Sequence, residues 1–328
     1  MILDELDVPI VLAPLAGGPS TPELAAVVSN AGGLGFLGAG YLTPDALGER
    51  ITQTRALSRR PFGVNLFVIT GSPADPATYS DYVEALGPEA GQPQFDDDEF
   101  GAKLALLADD PVAVVSFTFG LPPAAAIERL RTAGSEIWIT VTSPDEAAQG
   151  AAAGADLLVV QGAEAGGHRG SFDDAADQPL IPLLELLSAV RAITDVPLVA
   201  AGGIATAEGV AAALEAGATA AAVGTAFMLA PEAGTSQAHR AALASDTPTA
   251  LTRAFTGRLA RGIRNRFMNE HPDAPRAYPE IHYATAPIRA AARKAGDAEL
   301  INLWAGEAHQ LTEARPAAEI VRMLSPGR

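Results

Sequence analysis

"VPLVAAGGIATAEGVAAALEAGATAAAVGTAF", residues 196–227, runs twice through one rhythm. A short apolar run, "VPLVAA", ends on Gly202 and Gly203. Thr206 then opens an Ala-rich segment that closes on Gly217, and a second apolar run, "AAAVG", leads to Gly224 and Thr225. Thr before an apolar-periodic segment and glycine after it are the start and stop signals of a helix. Short apolar runs alternating with such helices predict parallel strands joined by helical crossovers.

The rhythm extends toward the N-terminus. Candidate strands are "PIVLAP" from 9, "GFLGA" from 35, "FGVNLF" from 62, "VAVVSF" from 112, "IWITV" from 137 and "DLLVVQ" from 156, which with the two above make eight. "TPELAAVVSNAG" and "SPDEAAQGAAAG" repeat the capped-helix pattern from Thr21 and Ser143. Eight units within the first 230 residues predict an α/β fold, a (β/α)8 TIM barrel, which typically takes about 250 residues; a doubly wound sheet is the lesser alternative. Past residue 231 the alternation fades into helical sequence rich in Arg, Pro and aromatics, so a smaller α-rich C-terminal cap domain is expected over 231–328. Between the third and fourth strands, residues 70–100 are too long and turn-rich for an ordinary loop, which predicts an excursion over the barrel mouth whose 68–95 portion packs with the cap. "DDDE" at 96–99 reads as a solvated helix start. "GLGFLG", 33–38, spells a dinucleotide-binding glycine pattern, but its glycines close a helix and enter a strand, the reverse of what that motif needs.

Composition narrows the function classes. The chain has 328 residues, 48% hydrophobic and 19% charged, enough for a large core. Lys and Arg number 22 against 39 Asp and Glu, a net charge of −17 that repels nucleic acids and anionic membranes. Without cysteine there is no disulfide framework, thiolate nucleophile or cysteine-held metal cluster, which fits a cytoplasmic protein. The opening "MILDELDVPIVLAPL" carries acids where an export signal carries basic residues. Residues 210–230 are apolar over a membrane-spanning length, yet they are mostly Ala and are broken by Gly217 and Gly224, so no span is expected.

In such barrels the chemistry sits at the carboxyl ends of the strands, with phosphate bound after the seventh and eighth. Pro14, Leu15, Asn65, Ser116 to Phe119, Thr140 to Thr142 and Gln161 to Arg169 fall there. So do Gly202, Gly203, Gly224 and Thr225, whose main-chain N–H groups can converge on one phosphate, that of a sugar phosphate or of flavin mononucleotide (FMN). Asn65 and Gln161 offer amides that match the donors and acceptors on a heterocycle edge, which favours the flavin; the alternative is that they satisfy loop backbone. Within "VVQGAEAGGHRGSF", 159–172, His168 can accept a proton at neutral pH, and Gly166 and Gly167 let a flat cofactor approach. His239, His271, His282 and His309 lie in the cap, where a structural role is the default. No second ligand stands at metal-binding spacing from His168, so no metal is expected. Arg169 can anchor an anion or cap its loop. Arg253, Arg258, Arg261, Arg264 and Arg266 form either a positive patch or salt bridges to the acidic barrel. Trp304 and Tyr283 wall the pocket or pack the cap.

Taken together, "APLAGGPSTPELAAVVSNAGGLGFLGAG", "PFGVNLFV", "VVSFTFGLP", "QGAEAGGHRGSF", "VAAGGIAT", "GTAFMLAPEAGTSQAHRAAL" and "FTGRLARGIRN" resemble the nitronate monooxygenases, FMN-containing TIM barrels. The "QGxEAGGHRG" string is the most specific. The resemblance implies that Asn65, Gln161, Gly166, Gly203, Gly224 and Thr225 contact FMN and that His168 is the catalytic base; Pro14, Leu15, Gly167 and Gly202 complete the expected cofactor-binding set. It further implies oxidation of nitronates or nitroalkanes by O2 to a carbonyl compound and nitrite, in a monomer or homodimer. The alternatives are an NAD(P)H-dependent flavin reductase of the same superfamily, acting on quinones or enoyl thioesters, and a noncatalytic flavin-binding protein. Three departures stand out: Leu15 replaces a common Met, Thr118 replaces a common His in "SFHFG", and a Gln usual before the last "GT" is absent.

Overall fold

Parallel pairing closes the eight expected strands into a barrel. In chain order they are β1 (Ile10–Leu12), β2 (Gly35–Gly38), β3 (Phe62–Phe67), β4 (Val114–Thr118), β5 (Glu136–Val141), β6 (Leu157–Gln161) and, past a two-residue strand β7 (Gly167–His168) that stays outside, β8 (Leu198–Ala201) and β9 (Ala220–Val223). The hydrogen-bonded order is β1-β9-β8-β6-β5-β4-β3-β2. Closure comes from Leu12 N donating to Leu34 O and Leu34 N to Ile10 O, both at 2.9 Å. This computed structural model describes residues 1–326 except 70, 72 and 175–178, so two positions of the expected excursion lie outside the described residues.

The outer ring consists of α1 (Pro22–Asn30), α2 (Pro44–Leu57), then, after a short α3 (Ser80–Ala85) in the excursion, α4 (Phe100–Asp109), α5 (Ala124–Ala133), α6 (Pro144–Ala152), α7 (Leu183–Arg191) and α8 (Ala207–Glu215). Caps fix their starts: Thr21 accepts from Leu24 N at 3.0 Å, Ser143 from Glu146 N and Thr206 from Gly209 N at 3.2 Å each. Such a cap contributes about 1 kcal/mol. Side chains alternate along each strand. Val11, Phe36, Val114, Trp138, Leu157 and Val199 fill the barrel, with the Phe36 and Trp138 rings 5.6 Å apart. Their neighbours Leu37, Val115, Ile139, Leu158 and Leu198 face the helices. "GLGFLG" serves this packing, since a Cβ on Gly35 would collide with the Ala25 carbonyl of α1.

The cap comprises α9 (Gln237–Leu243), a hairpin of β10 (Thr249–Thr252) and β11 (Ala260–Ile263), α10 (Arg266–Glu270) and α11 (Glu280–Ala295). The hairpin is an addition to the helical cap expected from sequence. The final helix, α12 (Ala317–Leu324), returns to the barrel, and its Ile320 and Val321 join the core beside α1 and α8. The excursion is tied to the cap: Gly91 N donates to Ala284 O at 2.8 Å, Tyr283 Oη to Asp96 at 2.6 Å and Tyr82 Oη to Ala254 O at 2.5 Å. The reading of 96–99 as solvated fails at Asp98. Its carboxylate pairs with the buried Lys103 at 2.8 Å and accepts from Tyr41 N at 2.7 Å, because Lys103 also donates to Ala39 O at 3.1 Å and needs a counter-ion there.

Candidate active site

A polar layer crosses the barrel mouth on four adjacent strands. Asn65 Nδ2, within β3, donates to Ser116 Oγ at 2.9 Å and Thr118 Oγ1 at 3.0 Å on β4, and Thr118 meets Thr140 Oγ1 of β5 at 3.2 Å. Asn65 is 3% exposed, and its Oδ1 has no partner among the described residues. Gln161 ends β6 with both amide ends engaged: Oε1 accepts from Gly170 N at 2.7 Å and Nε2 donates to His168 O at 3.1 Å. The expected pair of cofactor-reading amides therefore divides. Gln161 shapes the loop that carries His168, and Asn65 keeps an open acceptor.

That loop is anchored twice. β7 pairs with β11 in the register His168↔Ala260 and Gly167↔Arg261, so the cap hairpin holds the main chain of His168. Arg169 draws its turn inward, donating from one guanidinium nitrogen to Gln161 O and Gly162 O and from the other to Thr142 O. Of its two possible roles, Arg169 takes that of loop cap. Glu164 accepts from Leu183 N at 3.1 Å and caps α7, and no metal-ligating cluster exists among the described residues.

The His168 imidazole sits in an aromatic box: ring centroids lie 5.4 Å from Trp304, 5.7 Å from Tyr278 and 5.8 Å from Phe119. Trp304 borders His168 and also packs on Phe255 of the cap, ring centroids 5.7 Å apart, whereas Tyr283 points to Asp96 of the excursion. Phe119 takes a φ of 81° and Tyr41 a φ of 67°, left-handed conformations that other contacts must hold. Arg258 is buried, lies 4.0 Å from the Phe119 ring centroid and donates to Arg169 O and Ser171 O. Arg289 of α11 is also buried and donates to Thr285 Oγ1 and His282 O. Neither guanidinium has a carboxylate partner in the salt bridges of the described residues. Burial, followed by repulsion from Arg258 and Arg289, lowers the His168 pKa to about 3, which leaves the ring neutral near pH 7. The remaining arginines of the expected patch are bound locally: Arg253 to Asp174, Arg261 to Glu307, Arg264 to Asn269 and Arg266 to Glu270.

The glycine loops meet beside this box. Gly202 and Gly203 take φ values of 120° and 68°, and a Cβ on Gly203 would lie 2.9 Å from Glu164 Cβ. Gly224 packs on Leu15, and Leu15 N donates to Ser20 Oγ at 2.8 Å, while Pro14 leads from β1 into the same turn. Thr225 Oγ1 accepts from Gly306 N at 3.0 Å. A Cβ on Gly166 would strike Ala305 and Gly306, so the segment 305–307 threads between the His168 loop and Thr225. Tyr41, Thr256, Tyr278 and Arg289 were not among the expected site residues: they enter from distant segments, and although Thr256 stands within "FTGRLARGIRN", nothing in that string points it at His168.

Fold and mouth together are those of a barrel oxidoreductase. The family model described as nitronate monooxygenase matches residues 2–327, and the chain belongs to that family, which is flavin-dependent. The nitronate monooxygenase of Paraburkholderia phytofirmans is 40% identical over 336 residues, covering 97% of this chain and 92% of its own length. The nitroalkane oxidase of Streptomyces ansochromogenes superposes with a TM-score of 0.96 at 48% identity, over 98% of this chain and 96% of that one. FabK from Thermotoga maritima covers 98% and 93% of the two chains at 27% identity with a TM-score of 0.76. No described helix is long and apolar enough to cross a membrane.

Proposed function

We propose that the protein uses FMN to oxidise nitronates, and nitroalkanes after deprotonation, with O2 as the oxidant. The reaction balances as two nitronates and one O2 giving two carbonyl compounds and two nitrites. The observation that carries this reading is the His168 imidazole in a box of Phe119, Tyr278 and Trp304, beside the buried Arg258 and Arg289 guanidiniums, neither of which has a carboxylate partner among the described residues.

The residues present fit FMN. A positive-φ glycine pair that leaves no room for a Cβ is the kind of turn that admits a phosphate to main-chain N–H groups, and Gly202, Gly203, Gly224 and Thr225 would hold it. Asn65 Oδ1 offers the acceptor that a ring N–H requires. Gly166 and Gly167 would leave the ring face unobstructed, and Gln161 would act by fixing their loop. FMN would supply the electron acceptor that nitronate oxidation requires.

The protein's own groups handle charge and protons. For a nitroalkane, the α C–H bond breaks, its proton passes to His168 and its electron pair moves into the nitro group, placing negative charge on the nitro oxygens. Arg258 and Arg289 stabilise that charge in a site from which Trp304, Tyr278 and Phe119 exclude water. The same cations make a protonated His168 costly, so the site favours a substrate that arrives already ionised. His168→Asn should therefore reduce turnover of a neutral nitroalkane by about 100-fold or more, and that of its preformed nitronate far less. Equal losses on the two substrates contradict the base assignment.

A further inference from the structure

Thr256 lies in the turn between β10 and β11, 1% exposed, with Oγ1 2.9 Å from His168 Nε2. A threonine hydroxyl has one proton to donate and two lone pairs to accept with. Three groups surround this one: His168 Nε2, the Arg258 carbonyl at 3.3 Å and the Arg258 N–H at 3.4 Å. The carbonyl can only accept, and among the described residues it has no other donor. The N–H can only donate. Every group is satisfied in one way: the Thr256 proton goes to Arg258 O, and Oγ1 accepts from Arg258 N and from His168 Nε2–H. The reverse arrangement, with Thr256 donating to Nε2, leaves a buried carbonyl unpaired, at a cost comparable to a lost hydrogen bond.

From this geometry we infer that Thr256 is a positioning residue that fixes His168 as its Nε2–H tautomer and so makes Nδ1 the atom that takes the substrate proton. Nδ1 has no hydrogen-bond partner among the described residues and is not sealed off as a buried orphan atom. The turn itself is rigid. Gly257 takes a φ of 78° with the Ala277 main chain against its α-carbon, and Arg253 O receives both Thr256 N and Gly257 N. Arg253 is in turn paired with Asp174. The hydroxyl is therefore held in place before any substrate enters. When His168 takes the α-proton at Nδ1, the resulting imidazolium carries N–H on both nitrogens, and the Nε2–H bond to Thr256 persists throughout, so no reorientation of ring or hydroxyl accompanies the transfer.

The base role belongs to the reading proposed above; the tautomer is a separate matter and is tested separately. Long-range 1H–15N correlation spectra of the full-length protein labelled with 15N-histidine, recorded without added flavin, distinguish the two neutral tautomers, and the His168 signals are those missing from His168→Asn. The expected spectrum is Nε2–H for His168, independent of catalysis. In Thr256→Val the ring should lose this preference, and nitroalkane turnover should fall about tenfold, the scale of one hydrogen bond, with preformed nitronate turnover changing less than about twofold. Thr256→Ser should restore both tautomer and turnover. An Nδ1–H tautomer in the unaltered protein overturns the inference while leaving the base role standing, as does an unchanged Nε2–H signal in Thr256→Val. An unimpaired His168→Asn removes the base role and leaves the tautomer assignment intact.

Discussion

The rings of Tyr41 and His282 lie face to face, centroids 4.2 Å apart and planes within 3° of parallel. This contact joins the loop after β2 to helix α11 and thereby the barrel to the cap, over the pocket that holds His168. Tyr41 Oη also meets Tyr278 Oη at 3.2 Å, and burial pushes the Tyr41 pKa up to about 12, so both groups stay protonated near neutral pH. Tyr41→Phe keeps the stack and removes one hydrogen bond, with an expected loss of about 1 kcal/mol in urea unfolding. His282→Ala removes the stack together with a contact to Arg289 and should cost at least twice as much.

The ion pair beneath Tyr41 makes a stronger test. Lys103 and Asp98 are almost fully buried, and removing one partner strands the other's charge. Lys103→Met or Asp98→Asn alone should each cost about 3–5 kcal/mol. The double substitution Asp98→Asn with Lys103→Met should cost less than the sum of the singles, read from a double-mutant cycle of unfolding free energies.

Acid sensitivity follows from the histidines. Burial lowers His168 to about 3, His239 to about 4 and His282 to about 2, in the last with Arg289 and His168 adding to the effect. In the unfolded chain each returns to about 6.5. Between 6.5 and these folded values the unfolded state binds more protons, so stability falls as pH falls through that window and is unaffected above it. Each group contributes up to about 1.4 kcal/mol per pH unit. The urea midpoint should thus drop steadily from pH 6.5 to pH 5, and His239→Gln should flatten the slope by one group's share.

The glycines separate cofactor retention from stability. Gly166→Ala places a methyl against the main chain of 305–306 and should both lower Tm and release flavin on gel filtration, whereas Gly134→Ala meets nothing within 4 Å. At Gly134 only the left-handed backbone, φ 102°, is strained, so about 1 kcal/mol of stability should be lost with flavin content unchanged.

These contrasts show which parts of the molecule local sequence encodes. Strand positions follow from runs such as "FGVNLF", and helix starts from Thr21, Ser143 and Thr206, because each signal lies within a few residues of its effect. The position of His168 and of the paired glycines, in loops that follow barrel strands, is legible for the same reason. The hydrogen bond between His168 and Thr256 spans 88 positions, and the stack of Tyr41 on His282 spans still more. Their placement depends on how the cap hairpin and α11 settle over the barrel, and the string "FTGRLARGIRN" that contains Thr256 does not by itself say which side chain it meets. Gln161 shows the converse: its position at a strand end was right, yet its amide turns back to the loop because Gly170 N and His168 O lie within reach.

In the proposed reaction a flavin in the barrel mouth takes electrons from a nitronate beside His168. Anaerobic mixing of the purified protein, supplied with FMN, with a preformed nitronate, and separately with NADH, while the visible flavin band is followed, tests it most directly. Rapid bleaching by the nitronate, with little or none by NADH, is the predicted result. Rapid bleaching by NADH with the nitronate inert, or a protein that neither carries nor takes up FMN, would contradict it.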